Sequence, residues 1–243
     1  SAAMPEYFTS PTTPITVVRG QVVHPALIIC RPITFSPGKY FRAQVRLTST
    51  TGAPDGTVFN PTPDGFLVSR HGVSAPARFL FATEDGTIAG WNPAVDPARA
   101  VIAVDRSTVT DRAGDHGAEY KGLALVSTPA GKLLYATNFR FGTIEVFDTN
   151  FRRVNSFTDP TVPAGFAPFG IHNIGGNLYV TFAKQDAAKH DDDAGPGNGF
   201  VDVFSPNGVL LQRLASHLVW LATHALESLT HYRAAAKIDP TDG

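Results

Sequence analysis

The stretch DGTIAGWNP, residues 85–93, decides the fold because it returns twice further along the chain. It reappears as FGTIEVFDTN at residues 141–150 and as NGFVDVFSPNG at residues 198–208. The three copies begin their strands 56 and 57 residues apart. Each copy has a glycine, a short alternating strand with an aromatic residue near its end, and a polar turn. A fixed period of this length predicts a repeated β unit, most simply the blade of a propeller.

Each repeat unit contains about four short strands joined by tight turns, which is the strand count of a propeller blade. The Asp85-Gly86 pair lies between two apolar runs, which is a strong hairpin signal. A single blade cannot bury both of its faces, so we expect the units of residues 47–214 to pack side by side. Propellers have four or more blades, and three units leave open whether the ring closes or residues 1–46 supply a partial blade.

The composition favours a globular all-β protein and excludes several functional classes. The chain has 243 residues, of which 43% are hydrophobic and 17% charged, with 22 glycines and 19 prolines. A net charge of -1 does not provide the basic surface that nucleic acid or an anionic membrane requires. No apolar stretch is long enough to span a bilayer. Cys30 is the single cysteine, which rules out an internal disulfide.

The two ends of the chain differ from the repeat region. Residues 1–46 contain strand candidates at 15–18, 22–23, 26–30 and 40–47 but no repeat phrase, and the first residues do not read as an intact signal peptide. From Leu214 the apolar residues follow the i, i+3/i+4 spacing of an amphipathic helix that ends before Pro240. We therefore expect a helical tail over residues 215–243, through which the chain could associate with itself.

Several strings resemble a known family. They occur at residues 79–92, 120–125, 134–139, 144–151, 163–171 and 177–191. Together they are similar to an uncharacterised bacterial family of exported β-propellers, related in architecture to the NHL, SMP-30-like and TolB-like six-bladed propellers. The resemblance covers about residues 50–214 and implies propeller blades and a secreted or periplasmic location. It implies no reaction, because the family has no established activity to carry over.

An acidic loop in the third unit is the first candidate site. Asp186, His190, Asp191 and Asp193 lie within ten residues and are followed by a glycine-rich return. Oxygen-rich ligands of this kind suit Ca²⁺, which takes six to eight oxygen ligands. The spacing is not that of an EF-hand, and a solvated acidic loop explains the same residues.

A catalytic site in the central channel is the second candidate. Glu84, Asn138 and His172 occupy broadly related places in their units, and Asp186 would join them if inner strands converge. Residues 105–119 contain a further group of carboxylates with one histidine, which could serve acid–base catalysis or metal binding. Surface ion pairs in a loop explain the same residues. No nucleophile, zinc-protease or phosphate-loop motif is present.

Two functions from different classes follow. The first is an extracytoplasmic β-propeller binding or scaffold module, with a structural Ca²⁺ and a protein or glycan partner. The alternative is a metal-dependent hydrolase or lyase of the SMP-30/lactonase type, with its site in the central channel. Fold analogy does not choose between them.

Overall fold

Every regular element in the described part of the chain is a β-strand, as the repeat predicts. The computed structural model describes residues 6–8, 25–31, 41–46, 54–61, 63–129 and 131–218. Within these ranges there is no helix that could cross a membrane. The all-β class is therefore confirmed for this part of the molecule.

The first sheet lies in the N-terminal segment. Its three antiparallel strands are β1 (Glu6–Phe8), β2 (Pro25–Arg31) and β3 (Phe41–Arg46). The central strand β2 pairs with both of the others. The second and third strands match the strand candidates at 26–30 and 40–47, and the candidates at 15–18 and 22–23 lie outside the described residues.

Three four-stranded antiparallel sheets follow one another along the chain, and we call them blades 1 to 3. Blade 1 contains β4 (Pro54–Phe59), an inserted hairpin of β5 (Leu67–Arg70) and β6 (Val73–Pro76), and then β7 (Phe79–Thr83), β8 (Thr87–Trp91) and β9 (Val101–Asp105). Blade 2 contains β10 (Tyr120–Thr128), β11 (Gly131–Asn138), β12 (Thr143–Phe147) and β13 (Arg153–Phe157). Blade 3 contains β14 (Phe166–Ile174), β15 (Asn177–Lys184), β16 (Gly199–Phe204) and β17 (Leu210–Leu218).

The strand order within each sheet is that of a propeller blade. Apart from the hairpin inserted in blade 1, neighbouring strands in each blade are consecutive in sequence. The repeated phrase forms the third strand of every blade, β8, β12 and β16, and nearly all of its residues are buried. Gly86, at the turn before β8, has a φ of 75° and lies so close to the backbone of Ala118 that a side chain has no room. The prediction of an all-β fold built from sheets that resemble propeller blades is confirmed for the described residues.

The first strands of the blades pack side by side, with β10 between β4 and β14. Two glycines allow this close approach. An added Cβ at Gly56 would lie 2.8 Å from the backbone nitrogen of Leu123, and one at Gly122 would lie 2.9 Å from the carbonyl oxygen of Phe169. Because these obstacles are backbone atoms, any side chain at either glycine would push two inner strands apart.

Apolar side chains fill the space between neighbouring blades. One buried cluster joins blades 1 and 2 and includes Leu80, Ile88, Leu134 and Phe147. A second joins blades 2 and 3 and includes Tyr135, Ile144, Phe182 and Phe204. Blade 2 therefore packs against a neighbour on both faces, and blades 1 and 3 pack against it, which holds the inner strands in fixed positions.

The C-terminal end of the described chain corrects one expectation. The helix predicted from Leu214 does not begin there, because β17 continues as a strand to Leu218 and pairs with β16. The pairing is interrupted by several register shifts. The remainder of the predicted helical tail, residues 219–243, lies outside the described residues, so self-association through it stays a prediction.

Candidate functional site

The N-terminal ends of the inner strands lie beside the turns that connect the second and third strands of each blade, because the first two strands are antiparallel. Charged side chains from all three blades gather at this end. We call them the rim cluster, which consists of Asp55, Glu84, Glu119, Lys121, His190 and Asp191. Blade 1 supplies the first two, the entry to blade 2 the next two, and the long β15–β16 loop of blade 3 the last two.

Lys121, on β10, is the centre of the rim cluster. Its side chain is only 2% exposed, and Nζ lies 2.5 Å from Oε1 of Glu84. The same nitrogen lies 3.4 Å from Asp191, 3.6 Å from Glu119 and 3.7 Å from Asp55. A buried ammonium is stable only with such partners, so this lysine links carboxylates from all three blades.

The surroundings of Lys121 keep it charged. Burial lowers the pKa of its ammonium, but the hydrogen bond to Glu84 and the charges of Glu84, Asp55 and Glu119 outweigh burial and raise the pKa above its usual value. The ammonium also lies 5.9 Å from the ring centroid of Phe169, on the inner strand of blade 3. Lys121 therefore acts as a fixed positive charge rather than as a neutral amine.

Glu119 is the most deeply buried carboxylate of the rim cluster, with a side chain 1% exposed. Its Oε2 accepts a hydrogen bond of 2.8 Å from Arg140, whereas Oε1 accepts none from any described group. Burial raises the pKa of this carboxyl to about 7, against the opposing charges of Lys121, His190 and Arg140. A carboxylate oxygen with an unused lone pair thus faces the interior of the cluster.

His190 approaches that oxygen from the β15–β16 loop. Its Nε2 lies 3.4 Å from Oε1 of Glu119, and its Nδ1 lies 3.2 Å from Oδ2 of Asp191. The imidazole is 43% exposed and Asp191 is 68% exposed, so this side of the cluster is open to solvent. The charge of Lys121 and the hydrogen bond from His190 lower the pKa of Asp191 despite its partial burial.

The position of His190 depends on contacts within and around its loop. Oδ1 of Asp186 accepts a hydrogen bond from the backbone nitrogen of His190. Lys189 has a φ of 54° and forms a 2.5 Å ion pair with Asp115, in the connection between β9 and β10. Gln185 donates to the carbonyl oxygen of Phe139 in the β11–β12 turn. These contacts fasten the loop to blade 2 and aim His190 at the cluster.

The structure divides the four metal ligands predicted in this loop. His190 and Asp191 join the rim cluster, whereas Asp186 organises the loop backbone. Asp193 pairs instead with Lys184 at 2.6 Å. The group of three potential ligands found among the described residues is Glu84, Glu119 and His190, whose ligand atoms lie within 4.8 Å of one another.

The predicted catalytic residues also separate. Glu84 belongs to the rim cluster. Asn138 is fully buried beside it, where its Oδ1 accepts hydrogen bonds from the backbone nitrogens of Glu119 and Phe141. His172 pairs with Tyr179 toward the opposite end of β14 and is not part of the cluster.

Lys121 and Asp55 are the site residues that the sequence interpretation missed. A second repeat signals their position, since APDG at residues 53–56, EYKG at 119–122 and APFG at 167–170 each end in a glycine of an inner strand. The residue before that glycine is Asp55, Lys121 or Phe169, and these three neighbour one another across the blades. Aligning this phrase places a lysine between a carboxylate and an aromatic ring.

Three curated proteins of Acanthamoeba polyphaga mimivirus are similar to this chain in sequence. Uncharacterized protein R640 is 28% identical over 214 residues, which are 79% of this chain and 38% of that protein. Uncharacterized protein L690 is 31% identical over 172 residues, 67% of this chain and 43% of that protein. Uncharacterized protein R648 is 28% identical over 177 residues, 70% of this chain and 42% of that protein. The chain therefore spans about two fifths of the length of these curated relatives.

These relatives are viral, whereas the sequence resemblance pointed to a bacterial family, and no model of a known protein family matches the chain. Among solved structures, the WD40 β-propeller domain of Doa1 has a TM-score of 0.38 and 10% identity, covering 81% of this chain and 60% of that one. The structure of U3-55K has a TM-score of 0.35 and 15% identity, covering 67% and 52%. Because these scores are low, the blade architecture rests on the strand order and packing described above.

Proposed function

We propose that the chain is a β-propeller-type binding module in which the blades are the scaffold and the rim cluster binds a divalent cation. One observation carries the proposal. Glu119 is buried, and its Oε1 accepts no hydrogen bond from the described residues although it faces Glu84 and His190. Buried carboxylate oxygens are normally satisfied, and Lys121 approaches this one only to 3.6 Å, so its place among other metal-ligating groups supports a cation position there.

The charge balance of the rim cluster supports this proposal. The cluster has four carboxylates, and its one fixed cation is Lys121. Arg140 adds a second positive charge at Glu119. Above the pKa of Glu119, where the four carboxylates are ionised, they outnumber the fixed cations Lys121 and Arg140, and a divalent cation would neutralise that excess of negative charge. A protein or glycan partner and an extracytoplasmic location remain predictions of the sequence.

A metal-dependent hydrolase is the second candidate, favoured by the access that solvent has to the cluster. The open side of the cluster at His190 and Asp191 would admit a small substrate.

The proposal is tested by melting the chelator-treated full chain in buffer alone and with Mg²⁺, Ca²⁺, Mn²⁺ or Zn²⁺. A ligand that binds the folded state stabilises it by about 2.7 kcal/mol at one hundred times its dissociation constant, so at least one ion should raise the melting temperature. Unchanged melting with every ion contradicts the proposal. Hydrolysis of a lactone panel by the metal-loaded protein, lost in Glu119→Gln, would favour the second candidate.

A further inference from the structure

We propose that Glu84, Glu119 and His190 form a zinc-type transition-metal site, an inference that rests on the divalent-cation binding proposed above. It specifies the class of ion, the three protein ligands and the residue that orients the imidazole. The ligand atoms of the three side chains lie within 4.8 Å of one another, which is the first requirement for a shared ion. All three ligand atoms belong to side chains of the rim cluster.

The distance between the two central ligand atoms fits one ion. Zinc binds nitrogen and carboxylate oxygen at about 2.0–2.2 Å, and two such ligands at a tetrahedral angle are about 3.4 Å apart. Nε2 of His190 and Oε1 of Glu119 are separated by 3.4 Å. Among the described groups, Oε1 lies 3.6 Å from Nζ of Lys121 but accepts no hydrogen bond, so its spacing from Nε2 fits two ligands of one ion.

Asp191 gives His190 the form that a metal needs. Its Oδ2 lies 3.2 Å from Nδ1 of the imidazole, where it accepts the ring proton. A ring that keeps a single proton on Nδ1 has its lone pair on Nε2, the atom that faces Glu119 and that a metal would bind. Carboxylate, histidine and metal in this order are the usual arrangement around protein zinc. Asp191 is therefore a positioning residue and not a ligand.

The ligand types favour zinc over the Ca²⁺ expected from the sequence. Calcium takes six to eight oxygen ligands, whereas the site offers two carboxylates and an imidazole nitrogen. Two of the oxygen donors that the calcium prediction needs are committed elsewhere, because Asp186 binds the loop backbone and Asp193 pairs with Lys184. Three protein ligands and one open position make the pattern of an accessible zinc site.

Lys121 sets a limit on the affinity of this site. Its Nζ holds Oε1 of Glu84 at 2.5 Å, which fixes that carboxylate but also places a positive charge beside the ion. Lys121→Met should therefore bind zinc more tightly than the wild type, as long as the variant is folded. The stem of methionine is similar in length, so the change chiefly removes the charge.

Isothermal titration calorimetry of the chelator-treated full chain with Zn²⁺ and with Ca²⁺ tests the inference. We expect one zinc per chain and weaker or absent calcium binding. Losing an orienting carboxylate commonly costs about 10–100-fold in metal affinity, so Asp191→Asn should fall in that range. The ligand variants Glu119→Gln and His190→Gln should lose more, and Asp193→Asn, a matched change in the same loop, should bind like the wild type. Visible absorption with Co²⁺ reports four-coordination independently of affinity.

The outcomes separate this inference from the proposed function. Equal zinc affinity in Glu119→Gln, His190→Gln and the wild type overturns the inference. Loss in Asp193→Asn with binding retained in Glu119→Gln moves the cation to the acidic loop and leaves divalent-cation binding standing. No binding of either ion by the folded wild type contradicts both. The His190 side chain is 43% exposed, so His190→Gln should fold even if Glu119→Gln does not. Its zinc affinity then decides the test.

Discussion

Replacing Lys121 by methionine should destabilise the chain far more than a comparable change elsewhere. The lysine side chain is 2% exposed, and its charge is shared by carboxylates of three blades. Of these partners, Glu84 is 17% exposed and would lose its 2.5 Å partner, while Glu119, 1% exposed, would keep only Arg140 among its fixed cations. Removing one partner of a buried ion pair costs about 3–5 kcal/mol. At about 2–4 °C per kcal/mol for a chain of this size, the melting temperature should fall by roughly 6–20 °C.

Lys132 supplies the matched control for this substitution. Its side chain is 10% exposed and also donates to Asn60, but its charged partner Asp64 is 74% exposed, so the carboxylate left behind by its removal is solvated. Surface ion pairs contribute about 0–1 kcal/mol, and Lys132→Met should therefore lose little stability. Urea unfolding of both variants in metal-free buffer at pH 8, followed by tryptophan fluorescence, measures the difference. Equal losses in the two variants would refute the reasoning, because the rim cluster would then be as solvated as the surface.

Three further predictions concern single residues. Burial raises the pKa of Glu119 to about 7, so the folded state binds more protons than the unfolded state between about pH 4.5 and 7. The stability of the metal-free chain should therefore fall as pH rises through that window. Glu119→Gln should remove this pH dependence and be more stable than the wild type at pH 8 by up to about 3 kcal/mol, as measured by urea titration. Gly122→Ala brings a methyl group to 2.9 Å from the carbonyl oxygen of Phe169. The free energy of unfolding measured by calorimetry should therefore fall by about 1–3 kcal/mol. An unchanged free energy of unfolding would mean that the inner strands are further apart. Arg213→Met leaves the buried Asp202 without its guanidinium partner and should cost about 3 kcal/mol, with only partial recovery in Arg213→Lys because an ammonium cannot make the forked bonds.

The blades could be predicted from sequence because their determinants are local. A glycine, an alternating apolar strand and a turn lie within ten residues in each copy, and these pieces form β8, β12 and β16. The C-terminal strand was misread because its pairing with β16 shifts register at several points. Leu210, Leu211 and Leu214 are all exposed, so β17 lacks the alternation of buried apolar and exposed polar residues that indicates a strand in sequence.

The rim cluster could be predicted only in pieces. Glu84, His190 and Asp191 attract attention as acidic or imidazole side chains in turns, but their partner lies elsewhere in sequence. Lys121 is 37 residues from Glu84 and 70 from Asp191, and they meet because inner strands of three blades pack together. Contacts of this range follow from tertiary packing, which no local pattern specifies.

The most direct test of the account is a crystal structure of the zinc-soaked protein with anomalous diffraction recorded at the zinc absorption edge. The account predicts one strong anomalous peak between Oε1 of Glu119 and Nε2 of His190, with β4, β10 and β14 side by side beneath it. A peak at Asp186 and Asp193, no peak at the rim, or inner strands that do not neighbour one another would contradict it.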